Sequence, residues 1–538
     1  MNLTKEQLDI INSKEHSFKI NAVAGSGKTT TLLEYAKKHP TLKILYLAYN
    51  KSLQTSLEEK LKTSNISNMQ IKTIHSLAFT KMQAWNYKIS YDLKIDTIYK
   101  CIKEMDSFFE PSANYLALIK DIVNFYCNSS HIQLDEVLLQ NYKKYSDLDA
   151  KILKIIKTKS ANILNHTKYI LTCMKTHKIE ATHDFYLKLF FLNKKISSNL
   201  EYDLILVDEA QDISDVMIAI VEAQNCKRVY VGDSFQQIYS FRYALNALDK
   251  INLPSYNLSK SFRFGDNLAK NIQETLNKLY AKKDLKQLYI TGIEEKTSKF
   301  GSNVVDKSKP FCVISRTSFA LAKEVIKYLN EKKRKIFFEG GYNTYSFMNQ
   351  TVYSIYYLKE KKFDKISLEE IAQFSSIEEL EEYAKDTKNQ DYLNVIKFVN
   401  TYKDNIFEIN KQIKENLTLN KQEAQIIFTT THKAKGMEYS QVIMCENDFI
   451  SNKDIINPKN NLSNVKINEE LNIYYVAATR TKDALDFADL KLDYTYSFEE
   501  EEDKSSSFIS RTNNKRVPMK KLKQLQNEWL KSNKIKYF

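Results

Sequence analysis

Seven times in this chain a short apolar run stops at a polar, loop-like motif: FKINAVAG, KILYLAYN, YDLILVDEAQD, KRVYVGDS, FCVISRTS, AQIIFTTTHKAKG and YSQVIMCEND. Runs that are apolar throughout, instead of alternating with polar residues, suit strands buried on both faces, and those are parallel strands covered by helices. The polar residues then fall at the carboxyl ends of the strands, where open parallel sheets bind their ligands. The expected fold class is α/β. Two long segments, at about 90–180 and 345–420, lack such runs and space their apolar residues as helices do, as in LALIKDIVNFYC and LNVIKFVNTYKDNIFEI. They read as mostly helical insertions into two α/β cores. No internal sequence repeat accompanies this duplicated architecture.

The first run leads into NAVAGSGKTT, residues 21–30, and then into TLLEYAKK, which has helical spacing. The chain has 9 Gly in 538 residues, where an average usage of about 7% gives roughly 38. Two of the nine, Gly25 and Gly27, stand here one residue apart. Against the pattern GxxxxGK[ST] the stretch runs from Ala22 to Thr29, with Ala in place of the first Gly, a position that has only to allow the turn. A turn through Ala24, Gly25, Ser26 and Gly27 exposes backbone N–H groups, and the helix start at Lys28, Thr29 and Thr30 adds its dipole. Lys28 is placed for the β- and γ-phosphates and Thr29 for Mg²⁺. LILVDEAQD supplies what hydrolysis needs: Asp208 to hold Mg²⁺ through its shell and Glu209 to take a proton from the attacking water.

With these two motifs in place, the chain resembles a superfamily 1A DNA helicase of the UvrD/Rep group. Its motifs are most similar to the helicase core of the F-box DNA helicases, without the F-box part. DEAQD corresponds to the family's second motif, VGDSFQQIYSFR to the third, LSKSFRF to the fourth, TTTHKAKGMEYSQVI to the fifth and EELNIYYVAATRTK to the sixth, colinear from Gln7 to Lys482. The resemblance implies two RecA-like P-loop motor domains with ATP and Mg²⁺ between them. It implies that Gln7 reads adenine, that Gln236 senses the γ-phosphate, that Arg263 and Arg480 are arginine fingers and that Glu438 holds the ribose hydroxyl. For single-stranded DNA it implies Tyr49, Asn50, Thr73, His75, Ser76, Tyr239, Phe241 and Arg242 on the first motor domain. Arg316, Thr317, His432 and Lys433 are implied on the second, and Thr182 and His183 along the DNA path. Stretches between Arg263 and the fifth motif are shorter than in larger relatives, so the second insertion is expected to be trimmed.

The divisions expected from this reading are a first motor domain at 1–90 and 181–265 with a helical insertion at 91–180. A second motor domain follows at 266–344 and 425–495, with a short helical insertion at 345–424. An acidic linker and basic tail fill 496–538, with Leu522, Leu525 and Trp529 on one face of a tail helix that Pro518 would start. Formal charge agrees with a polyanionic partner: 80 Lys and Arg stand against 66 Asp and Glu, net +14, with a pI near 9.0. The six cysteines are scattered without a CxxC pair, and the eight histidines show no ligand spacing, so neither a disulfide framework nor a zinc site is expected. No signal segment or long apolar run is present, which fits a cytoplasmic or nucleoid-associated protein with no membrane partner. The expected activity is an ATP-dependent 3′–5′ DNA helicase or translocase acting in DNA repair, recombination or replication, on single strands and single/double-strand junctions. The alternative is an ATP-driven translocase or ATP-switched subunit of a larger complex, removing recombinase or serving antiviral defence, with little unwinding. In either case the basic tail is available to a protein partner.

Overall fold

The computed structural model describes residues 3–487, except 63, 65, 147, 149, 240–245, 332–333, 388, 447, 452–453 and 456–462, together with 507–509 and 516–518. It divides into two compact units, Met1–Leu490 and Lys491–Phe538. In the first unit, strands β1 (Phe18–Ala22), β2 (Ile44–Leu47), β3 (Met69–Lys72), β6 (Leu204–Val207), β7 (Lys227–Gly232) and β8 (Ser255–Leu258) form one parallel sheet in the order β3-β2-β6-β7-β1-β8. The intervening β4 (Ile89–Ser90) and β5 (Ala181–Thr182) pair with each other at the root of the first helical insertion.

The second parallel sheet comprises β11 (Lys299–Gly301), β12 (Phe311–Ser315), β13 (Ile336–Phe338), β14 (Ile426–Thr430), β15 (Tyr439–Met444) and β16 (Thr481–Asp486), ordered β11-β16-β15-β12-β14-β13. Between the sheets, β9 (Lys260–Gly265) pairs with β10 (Thr291–Ile293). The architecture is α/β, with two RecA-like sheets, each interrupted by helices.

All seven apolar runs became strands: β1, β2, β6, β7, β12, β14 and β15. The four strands at the sheet edges gave no comparable signal: β3, β8 and β11 carry polar residues, as in SYNL and KFG, which a less completely covered edge tolerates, and β13, IFF, is apolar but only three residues long. β16, TKDALD, is the exception: it is internal, yet reads as polar because it buries Thr481 and Asp486 with its apolar residues.

The helices differ in how they attach. Those at Ile95–Met105, Ala113–Asn128 and Ala150–Lys175 pack around a core of their own, with Tyr115, Ile119, Ile122, Ile163 and Ile170 almost fully buried. Those at Gln350–Lys359, Gln390–Tyr402 and Asn405–Asn416 instead share a single core with the second sheet, in which Val352, Val399 and Ile406 join Val313 and Phe428. Among the described residues no helix is long and apolar enough to cross a membrane. In the second unit, β17 (Ser507–Ile509) and β18 (Arg516–Pro518) pair antiparallel; the tail helix expected through Leu522, Leu525 and Trp529 lies outside the described residues.

Candidate nucleotide cleft and nucleic-acid face

The glycine-poor chain spends two glycines where the backbone needs a left-handed conformation: φ is 74° at Gly25 and 78° at Gly27, and Gly27 caps the helix Lys28–Lys37. A side chain at Gly25 would also meet the Cβ of Arg263 at 2.9 Å. The turn is thus a closed backbone cradle at the carboxyl end of β1, followed by a helix N-terminus. Ser26 Oγ is buried in it without a hydrogen-bond partner among the described residues. Gln7 closes the other side, its Nε2 donating to Thr31 Oγ1 at 3.3 Å and its Oε1 accepting from Thr4 N at 3.0 Å. Both ends of that amide are therefore already engaged.

Lys28 and Glu209 meet across the cradle, Nζ to Oε1, at 2.9 Å. Glu209 has a positive φ of 51°, a conformation that a non-glycine residue adopts at a cost and that turns its carboxylate back toward the turn. Burial by itself would raise the Glu209 pKa, but Lys28 and then Lys435 outweigh it and hold the carboxyl at about 2. Burial likewise disfavours charged Lys28, yet Glu209, Asp208 and Asp233 together raise its pKa. Asp208 accepts from Tyr46 OH at 2.7 Å and from the Glu209 N–H at 2.9 Å, while burial, then the Glu209 charge, push its pKa up.

Among the described residues no cluster of three or more His, Cys, Asp or Glu could hold a metal alone. The donor set fits Mg²⁺ in another way: one hydroxyl and one carboxylate beside a phosphate cradle, the remaining ligands being phosphate oxygens and water.

The second sheet reaches this cleft through the helix Asn464–Ala478 and the turns after β14 and before β16. Arg480, 1% exposed, donates to Val476 O at 2.8 Å, Thr479 Oγ1 at 3.1 Å, Met437 O at 3.3 Å and Gln236 Oε1 at 3.4 Å. Burial, then the Arg263 charge nearby, lower its pKa. Gln236 in turn donates to Asp233 Oδ2 at 2.7 Å, and Tyr475 OH donates to the same oxygen at 3.0 Å while accepting from Ala24 N at 3.0 Å. Lys435 pairs with the fully buried Asp212 and donates to Gln236 O at 2.6 Å. Burial drives the Asp212 pKa up to about 6 against the pull of Lys435. Arg263 crosses the other way, donating to Thr479 O at 2.5 Å and Glu438 Oε1 at 2.6 Å, and its Nε remains buried without a partner among the described residues. Arg263, followed by Lys482, holds Glu438 at about 2 although burial opposes it.

Beside the cleft, and sharing Asp208 and Asp212 with it, Tyr49, Asn50, Thr73, His75, Thr182 and His183 line a cavity of 550 Å³ between the carboxyl ends of β2, β3 and β6 and the first insertion. His75 Nε2 lies 3.0 Å from Asp184 Oδ1, and Asn128 Nδ2 donates to Asp184 Oδ2 at 2.9 Å. Ser76 is taken up differently: it forms a capping box with Thr73 at the start of the helix Ile74–Lys81. Tyr49 stacks on Tyr239, centroids 5.8 Å apart at 17°, and Tyr239 OH donates to His432 O at 3.1 Å. His432, whose pKa burial and then Arg316 lower to about 4, stays neutral at pH 7 and lies 3.2 Å from Ile238 O.

The other second-sheet candidates lie apart from this cavity. Arg316 holds Glu470 with two bonds of 2.8 and 2.9 Å, Thr317 donates to Asp448 Oδ1 at 2.7 Å, and Lys433 bonds Thr344. Phe241 and Arg242 lie outside the described residues.

Five residues of the cleft went unnoticed in the sequence: Tyr46, Asp212, Asp233, Lys435 and Tyr475. Tyr46 and Tyr475 sit inside aromatic, apolar runs and look like core; Lys435 and Asp233 stand within the fifth and third motifs, which was the available signal.

A family model for the UvrD/REP helicase N-terminal domain matches residues 3–251. The chain is 29% identical over 513 residues to F-box DNA helicase 1 of Gallus gallus, an alignment covering 90% of this chain and 48% of that protein. It is 28% identical over 531 residues to F-box DNA helicase protein 1 of Schizosaccharomyces pombe, covering 90% of this chain and 57% of the relative. The chain therefore spans about half the length of these relatives. The matched N-terminal domain and the likeness that runs on across the second RecA-like sheet support a UvrD-like helicase core of superfamily 1.

Proposed function

We propose that the chain is an ATP-driven motor on single-stranded DNA that moves 3′ to 5′ and separates duplex ahead of it. The observation that carries this reading is the set of bonds crossing from one sheet to the other at the phosphate cradle: Tyr475 to Ala24 and Asp233, Arg480 to Gln236, Lys435 to Asp212 and Arg263 to Glu438. A cleft whose hydrolytic groups come from two separate sheets can turn a change at the phosphates into movement of one sheet against the other. The motor domains in this reading are 1–90 with 181–265, and 266–344 with 425–495, each carrying its helical insertion.

Lys28 leaves Glu209 for the phosphates of ATP, and Glu209, released, orients and deprotonates the attacking water. Thr29 and Asp208 would hold Mg²⁺, which would supply positive charge to the phosphates of ATP. Arg263 and Arg480 give the transferring phosphoryl two planar cations, and Gln236 links Arg480 to Asp233 so that loss of the γ-phosphate is felt on both sheets. Gln7 exchanges its present bonds for the adenine edge, and Glu438 exchanges Arg263 for the ribose. Tyr49 and Tyr239 offer faces on which bases stack without being read, and the polar groups of the cavity meet the strand beside them.

The test is strand separation of 3′-tailed against 5′-tailed duplexes, with ATP turnover measured with and without single-stranded DNA and RNA. Strong stimulation by DNA and unwinding confined to 3′ tails are expected. Equal unwinding of both tails would overturn the polarity, and turnover indifferent to DNA would overturn the motor.

A further inference from the structure

The helix Ala150–Lys175 differs from its peers. Its 26 residues include six lysines, Lys151, Lys154, Lys157, Lys159, Lys168 and Lys175, and no acidic residue. Every other described helix of twelve residues or more contains Asp or Glu, and several of their lysines are paired within the helix, as Lys270 with Asp266 and Lys466 with Glu470. The helix bends at Lys159, where φ and ψ are −129° and 25°. Both limbs turn their apolar side to the same core, through Ile156 on one and Ile163, Ile170 and Met174 on the other.

The lysines on both limbs are exposed, and Lys154, Lys157, Lys168 and Lys175 make no ion pair among the described residues. Thr158, Ala161, Asn165 and Thr172 share the exposed side with them. They are small and uncharged, so they let a rigid surface come close. No exposed aromatic residue stands on the helix. Bases of a single strand would find nothing there to stack on, unlike the Tyr49 and Tyr239 face. At about 1.5 Å per residue the lysines span up to about 36 Å, enough to follow the phosphates of one turn of a double helix.

From these features we infer that the outer side of this helix holds the phosphate backbone of duplex DNA, without reading its sequence. The inference rests on the DNA-motor reading above. It places duplex binding on the first insertion, which carries a core of its own, and not on the second, which is fused to its sheet.

Replacing Lys154, Lys157, Lys168 and Lys175 together by Gln preserves helix propensity and touches no core residue. Binding of a blunt duplex is measured across a series of salt concentrations, alongside turnover stimulated by single-stranded DNA. A control carries Lys361, Lys362, Lys411 and Lys414 replaced by Gln on the second insertion.

The slope of log affinity against log salt should flatten by about 0.9 for each phosphate no longer neutralised, about 3 to 4 in all, and duplex affinity should fall by at least about ten-fold at low salt. Stimulation by single strands and the control's duplex affinity should stay within about two-fold, because neither case removes a lysine that neutralises a phosphate. Unchanged duplex affinity and slope would overturn the inference. So would an equal loss in the control, which would make the effect one of net charge, or an equal loss of the stimulation by single strands. If the unaltered chain shows no stimulation by DNA, the motor reading itself fails; stimulation without any duplex dependence on these lysines sinks the inference alone.

Discussion

The strand ends of the two sheets face one cleft with opposite charge. The first sheet presents Asp208, Glu209, Asp212 and Asp233, all buried or nearly so, with Lys28 as the cation among them. The second presents Lys435 and Arg480, both deeply buried. Buried carboxylates crowd one another, and burial and the neighbouring Glu209 charge already push Asp208 up. Lys435 completes the balance for Asp212 and contributes to that of Glu209. Each half of the cleft is therefore an incomplete electrostatic unit. The charges of one sheet are satisfied by residues that can be withdrawn when the other sheet moves.

That comparison breaks most severely at Arg480. Arg480→Ala should lower kcat by about 10³ to 10⁵ while nucleotide still binds, since the cradle and Lys28 are intact. Steady-state turnover beside equilibrium binding of a fluorescent nucleotide separates the two; retained turnover would mean that the second sheet contributes no transition-state charge. Glu209→Gln, on the first sheet, should cost about 10² to 10⁴ in kcat by removing the proton acceptor. Its affinity for nucleotide should rise or stay unchanged, because Lys28 no longer has to leave a carboxylate.

Lys435→Met tests the balance directly. It leaves Asp212 buried without its cation, which should destabilise the protein by about 3 to 5 kcal/mol at neutral pH. Asp212 has a folded pKa raised to about 6 even with Lys435 present, above the ordinary 3.8. A raised carboxyl favours the folded state in its protonated form. The loss should therefore be greatest above the folded pKa and should shrink as pH falls through it, in chemical denaturation followed between pH 5 and 8. A pH-independent loss would show that Asp212 is not the group left uncompensated.

The smallest expected effect belongs to Tyr475→Phe, which removes the hydroxyl shared by Ala24 N–H and Asp233 and should cost about 1 to 3 kcal/mol. Isothermal denaturation measures it, and a loss in the Gln236→Ala background smaller than in the parent would place both residues in one network. On the acid side, Glu209 falls from an ordinary 4.5 to about 2 on folding. Its contribution is complete above about 4.5 and disappears as pH drops toward 2; in Lys28→Met this part of the acid limb should be absent.

Legibility followed locality. The internal apolar strands could be read because burial on both faces leaves a continuous run, whereas edge strands such as SYNL leave none. The cradle could be read because its turn, its lysine and its helix lie within ten residues of chain, and Asp208 and Glu209 because they end an apolar strand. Tyr475 could not, since a phenol among Tyr474, Val476 and Ala477 is indistinguishable from core until a partner far along the chain is seen. His432, which the resemblance places along the DNA, likewise shows its neighbour only in the fold, its ring lying 3.2 Å from Ile238 O.

By itself, then, the sequence determined the parallel α/β class, the glycine turn that opens a helix after β1 and the acidic pair that ends β6, because each is encoded in neighbouring residues and in the period of a single element. Tertiary structure alone decided which charges are balanced. Ala24 and Tyr475 are 451 residues apart, and Asp212 and Lys435 are 223 apart. A buried charge or N–H must find its partner wherever the packing of two sheets happens to place one, and no local pattern records that choice.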